Sequence, residues 1–274
     1  MNPELSILIT SYKNSALLKL CIKSIQRSVK GIGYEIIVAD SATEEDSYDV
    51  MRECFFDIKF LPNQTNVGFG KLVNSMLKIA KGKFYFIINA DIIIKNNAVE
   101  TLVRFLKEND DVGIVGPKLI NFDNTVQQSC FKFYLPFTVL CRRTFLGRFP
   151  FAKKHLEKFL MKHEQETQDV IEADWIMGSA MMASKKAVDE VGLFDERFFM
   201  YFEDVDWCWR FWEKGYKVVY LSKVRVFHYH GQASASKNTL NSIFFNRYAR
   251  IHIISGIKFF LKYYRKADPH IKGL

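Results

Sequence analysis

The segment LSILITSYKNSALLKLCIKSI, residues 5–25, sets the frame for the rest of the chain. Residues 5–9 are a short apolar run, and residues 16–25 then place Leu17, Leu18, Cys21, Ile22 and Ile25 on one face at helical spacing. That is a buried strand, a polar loop and an amphipathic helix. The same alternation returns with strands expected at 35–39, 58–61 and 84–88, and helices at 71–80 and 98–107. Strands interleaved with amphipathic helices make a mainly parallel sheet covered on both faces, an α/β fold. From 123 to about 170 the pattern gives way to an insertion rich in Phe, Lys and Arg, interrupted by Pro136 and Pro150. Regular signals resume with a strand at 175–183, a helix at 185–190, an acidic turn at 203–206 and a strand at 217–221. The tail, 240–266, reads as a separate basic and aromatic helix.

With 274 residues, 49% of them hydrophobic, the chain can bury a full core in one large domain or one domain plus an appendage. Its 39 basic and 30 acidic residues give a net charge of +9, which favours anionic partners without choosing among nucleotide diphosphates, phospholipid surfaces and nucleic acid. The five cysteines (Cys21, Cys54, Cys130, Cys141, Cys208) are widely spaced and contain no CxxC pair, so neither a disulfide framework nor a zinc site is suggested. A reducing cytoplasm is expected. The N-terminus lacks the succession of a signal peptide, and no run of about 18 apolar residues is present to span a bilayer.

Ligands of parallel α/β sheets bind beyond the carboxyl ends of the strands. After the first strand come Thr10, Ser11 and Tyr12, and after the second Asp40 and Ser41. Hydroxyls, an aromatic face and a carboxylate there can hold a pyrimidine and its ribose, or serve only as loop polarity and caps. A third place is NVGFG, residues 66–70, with Asn74 one helical turn on; Gly68 and Gly70 flank Phe69 and let backbone approach a ligand at a helix start. The third glycine of a dinucleotide fingerprint is missing, and Gly31 and Gly33 precede a strand instead of following one, which counts against a nicotinamide enzyme. The fourth place is Asn89, Ala90, Asp91, where a carboxylate can hold a divalent ion against two phosphates or cap a helix.

The order of these segments resembles that of family 2 glycosyltransferases over about residues 5–236, and the rhamnosyltransferase-like members above all. The residues that carry the resemblance are SILITSY (6–12), NVGFG with Asn74, NAD (89–91), GLFDERFFMYFEDVDWCWR (192–210) and HYHG (228–231). It implies a GT-A fold: a mainly parallel nucleotide-binding sheet flanked by helices, followed by the C-terminal basic helix. It also implies an inverting, metal-dependent transfer of a sugar from a nucleotide diphosphate to a hydroxyl of a glycan or lipid-linked acceptor. L-Rhamnose from dTDP-rhamnose is the favoured donor, in bacterial surface polysaccharide assembly. Carried over residue by residue, Thr10, Ser11, Tyr12, Asp40, Gly68, Phe69, Gly70, Asn74 and Asn89 bind the nucleotide sugar. Asp91 holds Mg or Mn with His228, or with His230 as the alternative, and Asp204 is the base beside Glu203. Many relatives have two or three carboxylates at the metal motif, whereas this chain has Asp91 alone, with Asn89 leading.

The resemblance makes 1–236 the catalytic domain, 123–170 a candidate acceptor region and 237–274 an amphipathic helical tail. In the tail, Arg247, Arg250, Lys258, Lys262 and Arg265 share about a third of the helical circumference, with Phe245, Ile253, Phe260 and Tyr263 largely opposite. Such a helix either lies on an anionic membrane, at the inner face of the cell membrane, or docks its apolar face on the domain and leaves a solvated basic face. No nucleic-acid partner is expected. Two rival readings are a sugar-phosphate nucleotidyltransferase and a noncatalytic glycan-binding module. The first needs a basic glycine-rich loop where residues 10–14 have one lysine and no glycine; the second is favoured by loss of the acidic pair, which is present.

Overall fold

In the computed structural model, which describes residues 2–143, 145–229 and 247–270, the first strand, β1 (Leu5–Tyr12), is buried along its length except at Tyr12. It pairs in parallel with β2 (Tyr34–Ser41) on one side and β4 (Phe84–Asn89) on the other, and β2 pairs with β3 (Lys59–Asn63). Helices cover both faces, so these strands need no polar alternation. On one face lie α1 (Ser15–Ser28), which buries Leu18, Cys21, Ile22 and Ile25, and α4 (Ala98–Glu108). On the other lies α3 (Phe69–Leu77), burying Leu72, Val73, Met76 and Leu77 with Leu8 of β1. The strand order continues from β4 through β11 (Ala180–Ser184), β6 (Val112–Ile120) and β12 (Lys217–His228) to the short β5 (Ile92–Ile93). The strand β11 runs antiparallel to both neighbours, whereas β6 and β12 are parallel. The fold is therefore the expected mixed α/β arrangement around a mainly parallel central sheet.

Several elements depart from the sequence expectations. The strand expected at 175–183 is two, β10 (Trp175–Ile176) and β11, separated by a turn through Gly178 and followed by α8 (Lys185–Val191). No strand was expected at β6, whose Gly113, Gly116 and Pro117 dilute the apolar signal. Packing requires those glycines: a Cβ at 113 would meet the Phe211 ring at 2.3 Å, and one at 116 would meet Ile176 Cδ1 at 2.5 Å. The helix α2 (Glu45–Cys54) was not foreseen either, and β12 runs seven residues beyond its expected end to His228.

The 123–170 segment is stitched into the domain. Its strand β7 (Val126–Gln127) pairs with β6, β8 (Cys130–Phe131) pairs with β10, and β9 (Val170–Glu172) pairs with β12. Between them lie α5 (Pro136–Arg143), α6 (Pro150–Phe159) and α7 (Lys162–Thr167). Phe131 stacks on Trp175 at 4.2 Å, and Tyr134 and Phe159 join the same core.

The described part of the tail is a helix, Arg247–Tyr263, packed against α9 (Glu203–Glu213) and the turn before it. Phe259 and Tyr263 are buried, with Tyr263 4.5 Å from the Trp209 ring and Phe259 5.4 Å from Phe202. The expected division of faces is corrected here. Lys262, placed on the free basic face, instead pairs with Asp195 and the fully buried Asp206. Ile253, placed on the docking face, is exposed. A buried carboxylate demands a cation, and that demand rotates the helix away from its simplest amphipathic setting. Phe245 lies outside the described residues.

Candidate active site

The chain leaves β1 toward β2 and β3 and then crosses back to β4, so the sheet's topological switch point falls between β1 and β4, where Thr10 pairs with Asn89. A cavity of about 290 Å³ opens there. Thr10, Ser11 and Tyr12 line it from the end of β1, Gly68 and Phe69 from the start of α3, and Asn89, Ala90 and Asp91 from the end of β4. Ser41 and Asn66 complete one side. Gly68 is held at φ +85°, and a Cβ on it would lie 2.4 Å from the Phe199 carbonyl oxygen, so only glycine fits at this wall.

Thr10 Oγ1 donates to Asn89 Oδ1 at 2.9 Å, which commits the Asn89 carbonyl to holding the two strand ends together. Asn74 and Gly70 are not among the residues that line the cavity. The Asn74 amide donates to the Phe194 carbonyl and accepts from the Phe194 N–H, both at 2.9 Å, and a Cβ on Gly70 would touch Phe194. Both residues fasten α3 to the loop that carries the acidic helix. Asn14, Leu17, Met200 and Tyr248 also line the cavity and were not foreseen; Tyr248 comes from the C-terminal helix, where only charge and apolar periodicity had been read.

Buried polar side-chain atoms without a hydrogen-bond partner occur on two residues that line this cleft, Ser11 and Asp91, and on others in the molecule. Among the described residues they include Ser11 Oγ, both oxygens of Asp40, Asp91 Oδ1, Ser179 Oγ and Glu203 Oε2. Native proteins leave few such atoms, and those of Ser11 and Asp91 face a cavity that can hold a ligand. Asp40 ends β2 fully buried, beside the cavity-lining Ser41.

Asp91 and His228 meet because β5 pairs antiparallel with the end of β12 and the Tyr229 N–H donates to the Asp91 carbonyl. Asp91 Oδ1 lies 3.2 Å from His228 Nε2 without accepting a hydrogen bond, while His228 Nδ1 lies 2.6 Å from Gln127 Oε1. An amide oxygen only accepts, so with Nδ1 donating to Gln127 the Nε2 lone pair faces Asp91. Two ligands at right angles on an octahedral ion, each about 2.1 Å away, stand about 3 Å apart. The separation of the pair therefore fits two ligands of a divalent cation. No group of three His, Cys, Asp or Glu side chains gathers among the described residues. His230 lies outside them. On the far side of His228 is a second cavity, of about 580 Å³, walled by Gln127, Gln128, Phe122, Tyr229, Arg142 and Met177.

The acidic pair opens α9 after two consecutive left-handed residues, Tyr201 (φ 66°) and Phe202 (φ 65°). Such a conformation is costly for aromatic residues, and the burial of Phe202 against Tyr134 and Phe259 holds it. Asp204 accepts from the Gly178 N–H at 3.1 Å and the Val205 N–H at 2.9 Å. The neighbouring Ser179 carbonyl accepts from the Asn89 N–H, which brings the base candidate beside the end of β4. Burial raises both carboxyls. Glu203, desolvated and next to Asp204, is pushed well above the usual range, whereas desolvation raises Asp204 only to about 6 because the two N–H donors favour its charged form. Asp206, by contrast, is structural and takes hydrogen bonds from Arg210, Lys262 and Tyr263.

A nucleotide-binding half-sheet of order 3-2-1-4, joined through an antiparallel strand to a second half that supplies an acidic helix and a histidine, is the architecture of the GT-A glycosyltransferases. The chain belongs to glycosyl transferase family 2, whose model matches residues 6–192. Among curated relatives it is 24% identical over 206 residues to an N-acetylglucosaminyl-diphospho-decaprenol L-rhamnosyltransferase of Mycobacterium tuberculosis (strain CDC 1551 / Oshkosh), covering 71% of this chain and 66% of that one. It is likewise 24% identical over 216 residues to a low-salt glycan biosynthesis hexosyltransferase of Haloferax volcanii, covering 77% and 62%. The matched part thus spans a little under two thirds of these relatives. A similar solved structure is a mannosyltransferase from Pyrobaculum calidifontis in complex with GDP-Man and Mn2+, with TM-score 0.62, 15% identity and coverage of 99% of this chain and 69% of that one. Another is GalNAc-T7 with UDP, GalNAc and Mn2+, with TM-score 0.59, 15% identity and coverage of 84% and 44%.

Proposed function

We propose that the protein is an inverting, metal-dependent glycosyltransferase that moves a sugar from a nucleotide diphosphate to a hydroxyl of a glycan or lipid-linked acceptor. L-Rhamnose from dTDP-rhamnose is the donor this reading favours, in the cytoplasm, for surface polysaccharide assembly. The observation that carries it is the Asp91–His228 pair near the switch point, a carboxylate oxygen 3.2 Å from an imidazole nitrogen, with Asp91 in the wall of the cavity. The rhamnosyl specificity and the lipid diphosphate acceptor rest on the name of the mycobacterial relative. Residues 1–236 form the catalytic unit in this reading, with 237–274 as its tail.

A buried charge without partners is costly, and the base of a bound nucleotide relieves it at Asp40, whose carboxylate accepts from ring N–H groups. Tyr12, half exposed at the rim, offers a face to the base, and Ser11 a hydroxyl. Asp91 and His228 would hold Mg or Mn, which would supply positive charge where the diphosphate leaves. An acceptor hydroxyl is a weak nucleophile near neutral pH, so Asp204 takes its proton as the oxygen attacks the anomeric carbon. Its elevated affinity for protons suits that role, while the more strongly raised Glu203 stays neutral beside it. Attack on the face opposite the departing diphosphate inverts the anomeric centre. The second cavity, beyond His228, is where an acceptor sugar fits, with Phe122 and Tyr229 as stacking faces and Gln127 and Gln128 as amide partners.

The test is a transfer and hydrolysis screen of dTDP-rhamnose, UDP-linked and GDP-linked sugars with manganese or magnesium. Turnover of a nucleotide sugar that excess chelator and Asp91→Ala both abolish is the expected result. Full activity in chelator rejects the metal. Synthesis of a nucleotide sugar from a nucleoside triphosphate and a sugar phosphate, with no transfer, replaces this reading by the nucleotidyltransferase.

A further inference from the structure

The C-terminal helix has one face docked and one face bare. On the docked side, Phe259 and Tyr263 are buried, Ser255 Oγ donates to the Met200 carbonyl at 2.8 Å, and Gly256 faces the Phe202 ring, where a Cβ would come within 3.3 Å. On the other side, Ile253, Ile254, Ile257 and Leu261, with Tyr264 in the turn that follows, recur at spacings of one, three, four and three residues and form a single stripe. Ile254, Ile257, Leu261 and Tyr264 are 52%, 54%, 72% and 78% exposed. Arg250 falls within the stripe, and Arg247, Lys258 and Arg265 flank it. The helix contains no acidic residue, and among the described residues Arg247, Arg250 and Arg265 form no ion pair with a carboxylate.

We infer that this outward face docks the protein on an anionic lipid bilayer, lying in the plane of the headgroups. An apolar stripe bordered by unpaired guanidinium groups is what such a surface takes up: the isoleucines enter the acyl boundary and the arginines meet the phosphates. A second copy of the same face would set one cationic stripe against another, which like-charge repulsion opposes. No helix among the described residues is long and apolar enough to cross a membrane, so the contact lies along the surface. The same helix carries Tyr248, on the face opposite the stripe, into the wall of the cavity, so docking holds the cavity about one helix diameter from the bilayer. On the transferase reading, that is where a lipid-linked acceptor resides.

The inference is tested without any sugar donor, so its outcome and that of the transferase assay are independent. The full chain is sedimented with vesicles of phosphatidylglycerol and phosphatidylcholine, and with phosphatidylcholine alone. Salt-sensitive binding to the anionic vesicles only is expected. Arg250→Gln should lower the partition about fivefold, and Ile257→Asp with Leu261→Asp by roughly tenfold or more, with melting temperatures unchanged. A folded full-length protein that stays in the supernatant with anionic vesicles overturns the inference. So does vesicle binding that survives both variants. A dimer in sedimentation equilibrium that the aspartate pair dissolves, without vesicle binding by the parent, assigns the face to a second copy instead. Should the double variant fail to fold, the exposed Arg250→Gln alone still decides the matter.

Discussion

Two adjacent carboxyls at the start of α9 hold their protons differently, and the Gly178 and Val205 N–H groups that reach Asp204 contribute to the difference. Asp204 receives both, and Glu203 Oε2 receives none. The pair therefore loses its protons in sequence, Asp204 first at about 6. Transfer by the wild type should rise with pH through about 6 and level off above it, as kcat/KM against pH reports. Asp204→Asn should keep donor affinity while lowering turnover by roughly a hundredfold or more, and should lose that rising limb; Glu203→Gln is the control. Near-normal transfer by Asp204→Asn removes the assignment. Stability moves the other way. A carboxyl whose proton affinity is raised by folding contributes fully below its ordinary value of 3.8, and its contribution is lost as pH rises through about 6. Asp204→Asn should thus melt higher than wild type at pH 8, with the gap closing toward pH 4.

At the scale of elements, α9 and the C-terminal helix are locked by one buried carboxylate. Asp206 accepts from Tyr263 Oη at 2.8 Å and from Arg210 Nε at 3.0 Å, and it pairs with Lys262, which also reaches Asp195. Asp195 is itself held well below the usual carboxylate range by Arg197 and Lys262. Removing one partner of a buried ion pair leaves the others uncompensated, so Asp206→Ala should lose about 3–5 kcal/mol in urea unfolding. A loss under 1 kcal/mol would show the clamp to be dispensable. The left-handed pair Tyr201 and Phe202 belongs to the same joint, since Phe202 packs on Phe259 of the C-terminal helix. The joint that binds the tail thereby also sets the direction of Asp204.

For the whole molecule, the tail supplies part of the wall of the cavity at the switch point. Tyr248 stands in the cavity wall with Tyr12, Phe69 and Asp91 from three other elements. Loss of an aromatic wall should weaken donor binding more than chemistry, so Tyr248→Ala should raise the donor KM roughly tenfold with kcat little changed. Initial rates over a donor titration measure this, and an unaltered KM would place Tyr248 outside the donor contact.

The half-sheet from β1 to β4 was legible in the sequence because its strands and helices carry local signals: apolar runs in β1, β2 and β4, and helical spacing in α1, α3 and α4. The strand β6 was hidden because Gly113 and Gly116 answer to side chains distant in sequence, Phe211 and Ile176, and no local pattern records that need. Motif position brought Thr10, Ser11, Tyr12, Gly68, Phe69, Asn89 and Asp91 to one cavity, since residues after parallel strands converge at the same sheet edge. Asn74 and Gly70, on the same helix, turn toward Phe194, a contact that motif position does not record. The composition of the tail foretold a basic, apolar helix; which side chains it buries was decided by a carboxylate on another element, Asp206. Sequence periodicity fixes a helix and its stripes, whereas the rotation of that helix about its axis depends on the charge and shape of what it meets.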